Sequence, residues 1–344
     1  MTGRVPSPGP APGRSVLPPV GELLEGLRVV SIPMRVRFRG LDHREMALLR
    51  GPEGWGEFSP FLEYAPPEAS RWLASAIESA HVGWPAARRD RIPVNATVPA
   101  VAAEDVAGVL ARFDGCTTAK VKVAERGQTL DDDVRRVAAV RDAMGPEARI
   151  RVDANGQWSV AAAVAALAEL TAYGLEYAEQ PCATVDDLIK LRKHLSRRGI
   201  DVSIAADESI RKADDPLRVA RLGAADVIVV KVAPLGGVRA ALAIVEQCGL
   251  PAVVSSAIDT SVGIAAGTAL AAALPDLDHA CGLGTVELLV DDVAVNPLVP
   301  VGGSVAVGAP EVDPAALDRL AAPADRQRWW RERVIACHAV LSRA

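Results

Sequence analysis

The sequence predicts an α/β protein: a small α+β module followed by a parallel barrel of seven or eight strand–helix units. Two observations carry that reading. From Pro93 onward, short apolar, β-branched runs alternate with alanine-rich helical stretches, the pattern of a parallel sheet with helices outside it. Charged residues close those runs at near-regular spacing. Lys122, Asp153, Glu179, Asp207 and Lys231 follow one another at 31, 26, 28 and 24 residues, about one strand, one helix and two loops. Seven or eight such units close into a barrel rather than an open sheet. No G-x-G-x-x-G follows an early strand, which counts against a dinucleotide fold.

The elements follow in chain order. Residues 1–19 are Pro/Gly-rich and read as a disordered tail. Residues 20–92 form the α+β module, with strand-like runs at Leu27 to Ser31 and Glu45 to Leu49 and a third at 53–60 that ends in a loop. A helix starts at Pro66-Pro67, where a first turn tolerates proline, and Trp72, Leu73, Ile77 and Ala80 recur on it at helical spacing. Barrel strands are read at Val94–Val98, Ala119–Val123, Ile150–Asp153, Leu175–Glu179, Val202–Ala206, Val227–Lys231, Ala252–Ser255 and Ala280–Leu283, so the barrel spans 93–284. Helices fall at 131–144, 159–172, 185–197, 215–222, 236–247 and 260–273. Residues 285–344 leave the pattern, with a Pro/Gly-rich return and a helix around 314–341 that packs back on the first module.

Composition narrows the function classes. The 344 residues are 50% hydrophobic and 24% charged, an ordinary globular balance. A net charge of −5 offers no basic footprint for nucleic acid and no polybasic membrane patch. No run of 18 apolar residues suggests a membrane span. Cys116, Cys182, Cys248, Cys281 and Cys337 form no C-x-x-C pair, which suits neither zinc nor a disulfide framework and points to thiols of a reducing cytoplasm. The partner this leaves is a small molecule, with oligomeric state open.

Active sites of such barrels lie at the C-terminal ends of the strands. Asp153, Glu179 and Asp207 end three consecutive predicted strands. Taken singly, each could cap the helix that follows. As a set of three flanked by lysines, they read as oxygen ligands of Mg²⁺, with Mn²⁺ as a substitute, rather than Zn²⁺. Lys120 and Lys122 are two apart and share one face of their strand; apolar Ala119, Val121 and Val123 make that face the inner one. A lysine base must be neutral, which an unperturbed lysine is in about one molecule in 2,500 at pH 7. Like charge and burial are expected to lower the pKa. Lys231 ends a strand that is otherwise Val-Ile-Val-Val and reads as a second ammonium across the cavity, or as a salt bridge to Asp207 or Glu208. Glu208 points away from Asp207 and is given a supporting role only.

The ordered set K-x-K (120–122), D-A-N (153–155), E-Q-P (179–181), D-E-S (207–209) and V-V-K (229–231) resembles the enolase superfamily, in its muconate-lactonizing subgroup. Within that subgroup the stretches G-W-G-E-F-S-P-F-L-E-Y (54–64), V-N-A-T-V-P-A-V (94–101) and S-S-A-I-D-T-S-V-G-I-A-A-G (255–267) are similar to the o-succinylbenzoate synthase family of the menaquinone pathway, in its actinobacterial form. The resemblance implies a capping domain on a modified (β/α)₇β barrel. It implies Mg²⁺ on Asp153, Glu179 and Asp207, with Lys122 as base and Lys120 supporting it. Lys231 would stabilise an enediolate from the opposite face. The implied reaction dehydrates 2-succinyl-6-hydroxy-2,4-cyclohexadiene-1-carboxylate. Asn155 is then an orienting group, and Ser255 and Ser256 are candidates for the succinyl carboxylate or, alternatively, N-caps or loop polar groups. Glu57, Ser59, Phe61 and Tyr64 are candidates for a lid or for helix packing. The eighth strand reads C-G-L-G, without the D-x-D by which related epimerases hold an amine. Two alternatives stand beside this: a racemase of N-succinyl amino acids using the same lysines, and a silent barrel that only binds.

Overall fold

The computed structural model describes residues 17–38, 40–212 and 215–343. Strands β1 (Arg28–Phe38), β2 (Leu41–Gly51) and β3 (Gly54–Phe58) form an antiparallel sheet. Alternation along a strand sends successive side chains to opposite faces, and both faces are buried. Val29, Ala47, Leu49 and Phe58 pack with Trp72 and Leu73 of the helix Pro66–Ile77 and Trp330 of the helix Ala324–Leu341. Val30, Ile32, Met46 and Leu48 join the core of the barrel instead. One small sheet is thereby wedged between two apolar layers, which fixes its position over the barrel.

β4 (Arg91–Pro93) pairs antiparallel with β12 (Ser304–Ala306) below the barrel proper. The barrel strands are β5 (Ala96–Val98), β6 (Thr118–Lys122), β7 (Arg149–Asp153), β8 (Leu175–Glu179), β9 (Ser203–Ala206), β10 (Val227–Lys231) and β11 (Ala252–Ser255). They form one parallel sheet in the order β11-β10-β9-β8-β7-β6-β5. The eighth place is narrower than the expected strand 280–283. Single bridges join Cys281 to Val94 and Gly282 to Ser255. Hydrogen bonds from Asn95 N to Cys281 O (2.9 Å), Cys281 N to Pro93 O (2.7 Å) and Gly282 N to Val254 O (2.8 Å) complete the ring. Glycine at 282 leaves room for Ser255, since a Cβ there would stand 2.5 Å from Ser255 Oγ and force that side chain to move.

Side chains alternate through the barrel wall. Ile150, Val152, Ala178, Ile204, Ile228 and Val230 face the helices. Tyr177, Ala205, Val227, Val229 and Val253 fill the lumen and form an apolar plug beneath the charged mouth. The helices match their expected places closely at Leu130–Met144, Val160–Leu170, Val185–Arg198, Val238–Cys248 and Ser261–Ala273. Two expectations are corrected. The helix read over 215–222 is one turn, Arg218–Arg221. The helix read over 314–341 is two, Pro314–Arg319 and Ala324–Leu341, since Pro323 lacks the N–H that continuity needs. The first sixteen residues of the expected tail lie outside the described residues. Leu17 packs on the capping core, and His338 Nε2 lies 2.8 Å from Pro18 O. All five cysteines are free. Among the described residues no helix is long and apolar enough to cross a membrane.

A buried ion pair braces the lumen near the weak eighth place. The β7–β8 register shifts between Ile150 and Arg151, so Glu176 is the extra residue of a bulge, a device that re-aims a side chain. Its Oε2 meets Nε of fully buried Arg151 at 2.5 Å and its Oε1 lies 2.9 Å from His279 Nδ1. Arg151 Nη1 also donates to Ala280 O (2.6 Å) and Asn95 Oδ1 (3.1 Å). Burial raises the Glu176 pKa, but the bonds from His279 and Arg151 outweigh it and bring it down to about 2. A carboxyl held below its ordinary 4.5 stabilises the fold above that pH and loses the contribution as pH falls toward 2. Thermal melts from pH 7 to pH 2 should therefore show Glu176→Gln less stable at neutral pH, by about 3 kcal/mol, with the gap to wild type closing in acid. Parallel curves would remove the ion pair from the stability of the barrel.

Candidate active site

Strand register alone brings the charged residues to one level. Lys122, Asp153 and Glu179 are paired neighbours across β6, β7 and β8, and Lys231 pairs with Ser255 across β10 and β11. Asp207 follows β9 directly. Asp153, Glu179 and Asp207 are at most 1% exposed. Lys122 Nζ lies 2.5 Å from Asp153 Oδ2 and 2.5 Å from Asn155 Oδ1. Lys120 Nζ donates to both Glu179 oxygens at 2.9 and 3.1 Å and stands 3.3 Å from Asp153 Oδ2. Lys231 Nζ meets Asp207 Oδ2 at 2.6 Å. Asn155 Nδ2 reaches Glu208 Oε1 at 3.2 Å, so Glu208 touches the group that touches Lys122.

Burial and charge pull these groups apart electrostatically. Burial raises the Glu179 pKa, and nearby Asp153 adds to it against the pull of Lys120, leaving it at about 7. Burial also works against ionised Asp153 and Asp207, yet Lys122 and Lys120 hold the first well below the carboxylate range, and Arg211 and Lys231 the second. The lysines divide. Lys231 falls below its ordinary value, because burial, helped by Arg211, outweighs Asp207. Lys120 does the opposite of the like-charge expectation: burial lowers it, but Glu179 and Asp153 outweigh burial and hold its ammonium above the ordinary range.

Two important residues escaped the sequence reading. Arg211 donates to Asp207 Oδ1 (3.0 Å), Glu208 Oε1 (2.6 Å) and Tyr64 Oη (3.2 Å). Its position, four residues after Asp207 on a helical turn, is a legible ion-pair spacing. Gln180 Oε1 accepts from the N–H groups of Asp207 (2.9 Å) and Ser209 (3.1 Å), while Nε2 donates to Cys182 O and Ser209 Oγ. It fixes the backbone that presents Asp207.

A cavity opens on this mouth. Lys120, Lys122, Asp153, Asn155, Lys231, Ser255 and Ser256 line it; Phe38, Phe61 and Trp72 of the capping module roof it. Lys122 Nζ lies 5.3 Å from the Phe38 ring centre. Of the lid candidates, Phe61 reaches this cavity, Tyr64 supports Arg211, and Glu57 and Ser59 line a second chamber. Ser256 Oγ is engaged with Gly282 O and Thr285 Oγ1, both at 2.7 Å. Among the described residues no three acidic, imidazole or thiol groups already stand as a metal cage; ammonium groups sit between the carboxylates. The donor set itself, three buried carboxylates on adjacent strand ends, is the chemistry of a hard divalent cation.

Comparison with known proteins agrees with this architecture. Residues 29–80 match the family described as enolase N-terminal domain-like, and residues 102–312 match enolase C-terminal domain-like. The o-succinylbenzoate synthase of Mycolicibacterium smegmatis is 61% identical over 326 residues, 94% of this chain and 99% of the relative. That of Mycobacterium ulcerans is 59% identical over 333 residues, 96% and 98% of the two chains. Among solved structures, muconate lactonizing enzyme from Pseudomonas fluorescens superposes with a TM-score of 0.72 at 24% identity, covering 86% of this chain and 98% of that one. The N-succinyl Arg/Lys racemase of Bacillus cereus gives 0.69 at 19%, covering 86% and 97%.

Replacing Gln180 by Leu strands two buried N–H groups beside Asp207, at a cost of about 1–3 kcal/mol. Denaturant unfolding should show that loss; an unchanged midpoint would mean the amides find other partners.

Proposed function

The chain belongs to the enolase superfamily and within it to the o-succinylbenzoate synthases, and from that premise we propose how its barrel mouth performs the reaction. The activity is dehydration of 2-succinyl-6-hydroxy-2,4-cyclohexadiene-1-carboxylate to 2-succinylbenzoate, a step of menaquinone biosynthesis. The observation that carries the mechanism is the placing of Lys122 and Lys231 in one cavity with Asp153, while buried Glu179 and Asp207 contact the lining lysines Lys120 and Lys231.

Asp153, Glu179 and Asp207 would hold Mg²⁺, which when bound would neutralise the substrate's ring carboxylate and make the adjacent C–H acidic. Lys122, oriented by Asn155, takes the proton from the carbon bearing that carboxylate. The electron pair left behind spreads into an enediolate. Lys120 and Lys231 meet that charge with ammonium groups already in place, so little reorganisation accompanies the step. The C6–O bond then breaks, protonated Lys122 returns its proton to the departing hydroxyl, and water leaves an aromatic ring. One base on one face serves both steps, which makes this a same-side elimination. Ser255, whose hydroxyl lines the cavity, is better placed than Ser256 for the succinyl carboxylate, because the Ser256 hydroxyl is already engaged. The free, mostly buried thiols support a reducing cytoplasm.

A second reading has one observation behind it. Lysines on both sides of a cavity also suit α-proton exchange in N-succinyl amino acids, and that exchange is a side activity to assay on the same preparation. The silent-barrel alternative has no support, since every lysine and acid of the set is present.

The direct test follows the ultraviolet change as the ring becomes aromatic. Wild type should turn over with Mg²⁺ and stop with EDTA. Lys122→Ala should lose roughly 10⁴-fold in kcat while Mg²⁺ still raises its melting temperature; retention of more than a few per cent of activity would remove Lys122 as base. Asp207→Asn should need a much higher Mg²⁺ concentration for the same rise, since a ligand stabilises a fold by RT ln(1 + [L]/Kd). An identical titration curve would take Asp207 out of the metal site.

A further inference from the structure

Behind the reactive cavity, the seam between capping sheet and barrel buries a polar cluster that the mechanism does not use. It borders a second chamber that shares Lys231, Ser255 and Ala257 with the first. Arg44 of β2 is 2% exposed. Its guanidinium donates to the carbonyls of Ile258 (3.2 Å), Ala257 (3.3 Å) and Ser59. Glu57 of β3 sets Oε2 against the N–H of Thr260 (3.0 Å), its hydroxyl (2.5 Å) and the N–H of Gly263 (3.2 Å). Asp259 Oδ2 accepts from Ala257 N at 3.1 Å. A Cβ on Gly263 would lie 2.6 Å from Asp259 Cβ and 3.1 Å from Glu57 Cδ, so glycine is what lets both carboxylates close on the helix start. Two charged side chains of the capping sheet, Arg44 and Glu57, grip one short loop, residues 255–260, and a third, Asp259, braces it from within.

That loop is strained. Ile258 has φ 63°, and a β-branched residue in the left-handed region is a genuine outlier. Such a conformation persists where its surroundings over-determine it. The Ile258 side chain is 2% exposed, and Ser255 to Ile258 all line the reactive cavity. β11, which delivers this loop, stands four places along the sheet from β7, which carries Asp153. In a ring of eight places the loop therefore forms the wall across from that carboxylate.

We propose that Arg44, Glu57 and Asp259 are positioning residues that hold Ile258 in its left-handed turn, and that this turn sets substrate choice by placing the Ser255–Ile258 wall against the arm of the dicarboxylate remote from the reacting carbon. The proposal rests on the dehydratase reading above. It makes the capping sheet part of the specificity apparatus without any contact to the reacting atoms.

The experiment compares wild type with Arg44→Met, Glu57→Ala, Glu57→Gln and Asp259→Asn. Turnover is measured with the cyclohexadiene substrate, and binding with 2-succinylbenzoate and with benzoate, which lacks the succinyl arm, all in Mg²⁺. Arg44→Met and Glu57→Ala should raise KM about 10-fold or more with kcat within about 3-fold. They should weaken 2-succinylbenzoate by the same factor and leave benzoate and Mg²⁺ affinities unchanged. Glu57→Gln, which keeps an acceptor for Thr260 and Gly263, should restore most of the loss. Equal weakening of both ligands, or a lower melting temperature with KM unchanged, would overturn the proposal. Should Arg44→Met fail to fold, the Glu57 pair and Asp259→Asn decide alone. Failure of wild type to turn over the substrate would instead strike the dehydratase reading.

Discussion

Three carboxylates buried in one barrel mouth are the constraint on which the rest of this structure depends. A buried ion left unpaired costs several kcal/mol, and Asp153, Glu179 and Asp207 are shut from water together. The mouth answers with a matched count. Asp153, Glu179, Asp207 and Glu208 face Lys120, Lys122, Lys231 and Arg211 through direct contacts. The pairing explains why lysines stand between the acids: the Lys120 and Lys231 ammonium groups that offset the buried carboxylates are also at hand when charge develops on a bound substrate.

Holding those groups in place strains the backbone where the chemistry is. Among the described residues, the non-glycine positions with positive φ are Ala124, Asn155, Gln180 and Ile258. Each lies within three residues of the end of a barrel strand: β6, β7, β8 and β11. Three of the four also have a side chain in the polar networks or the cavity wall. Asn155 orients Lys122, Gln180 fixes the amides around Asp207, and Ile258 walls the cavity. Strain of this kind is retained where packing and hydrogen bonds over-determine it. Here the apolar plug of Tyr177, Val229 and Val253 below and the capping sheet above supply that rigidity.

Much of this was legible in the sequence. Periodicity placed seven barrel strands and the long helices, because an apolar β-branched run with buried neighbours on both faces leaves little choice of conformation. Strand-end position put the acids and lysines at one level, because register in a parallel barrel is fixed by the side-chain period of two. What stayed hidden depends on contacts between distant segments. The eighth place is reduced to single bridges at Cys281 and Gly282, and Arg151 braces it from across the lumen through Ala280 O. Arg44 drew no reading from the sequence and Glu57 stood only as a lid candidate, because the barrel loop they grip lies some 200 residues further along the chain. The raised Lys120 was misjudged because its nearest charges are the carboxylates of the next two strands, not the lysine beside it in sequence.

The fold leaves the choice of reaction open, since a lactonizing enzyme and a racemase share it at TM-scores near 0.7, and function lives in the site grafted on it. The lysines do not make that choice either, because proton removal from a carbon beside a carboxylate serves several outcomes. What remains is the wall that meets the unreacting part of the substrate. Its far side is set by a coupled pair. Ser255 can point its hydroxyl at the ring closure only because residue 282 has no side chain: a Cβ would fall 2.5 Å from Oγ. An acidic residue at 282, suited to an ammonium group on the substrate, would therefore require Ser255 to change as well. The two positions together exclude an amine-recognising acid from the eighth place and leave a hydroxyl there, and a hydroxyl can donate a hydrogen bond to a second carboxylate.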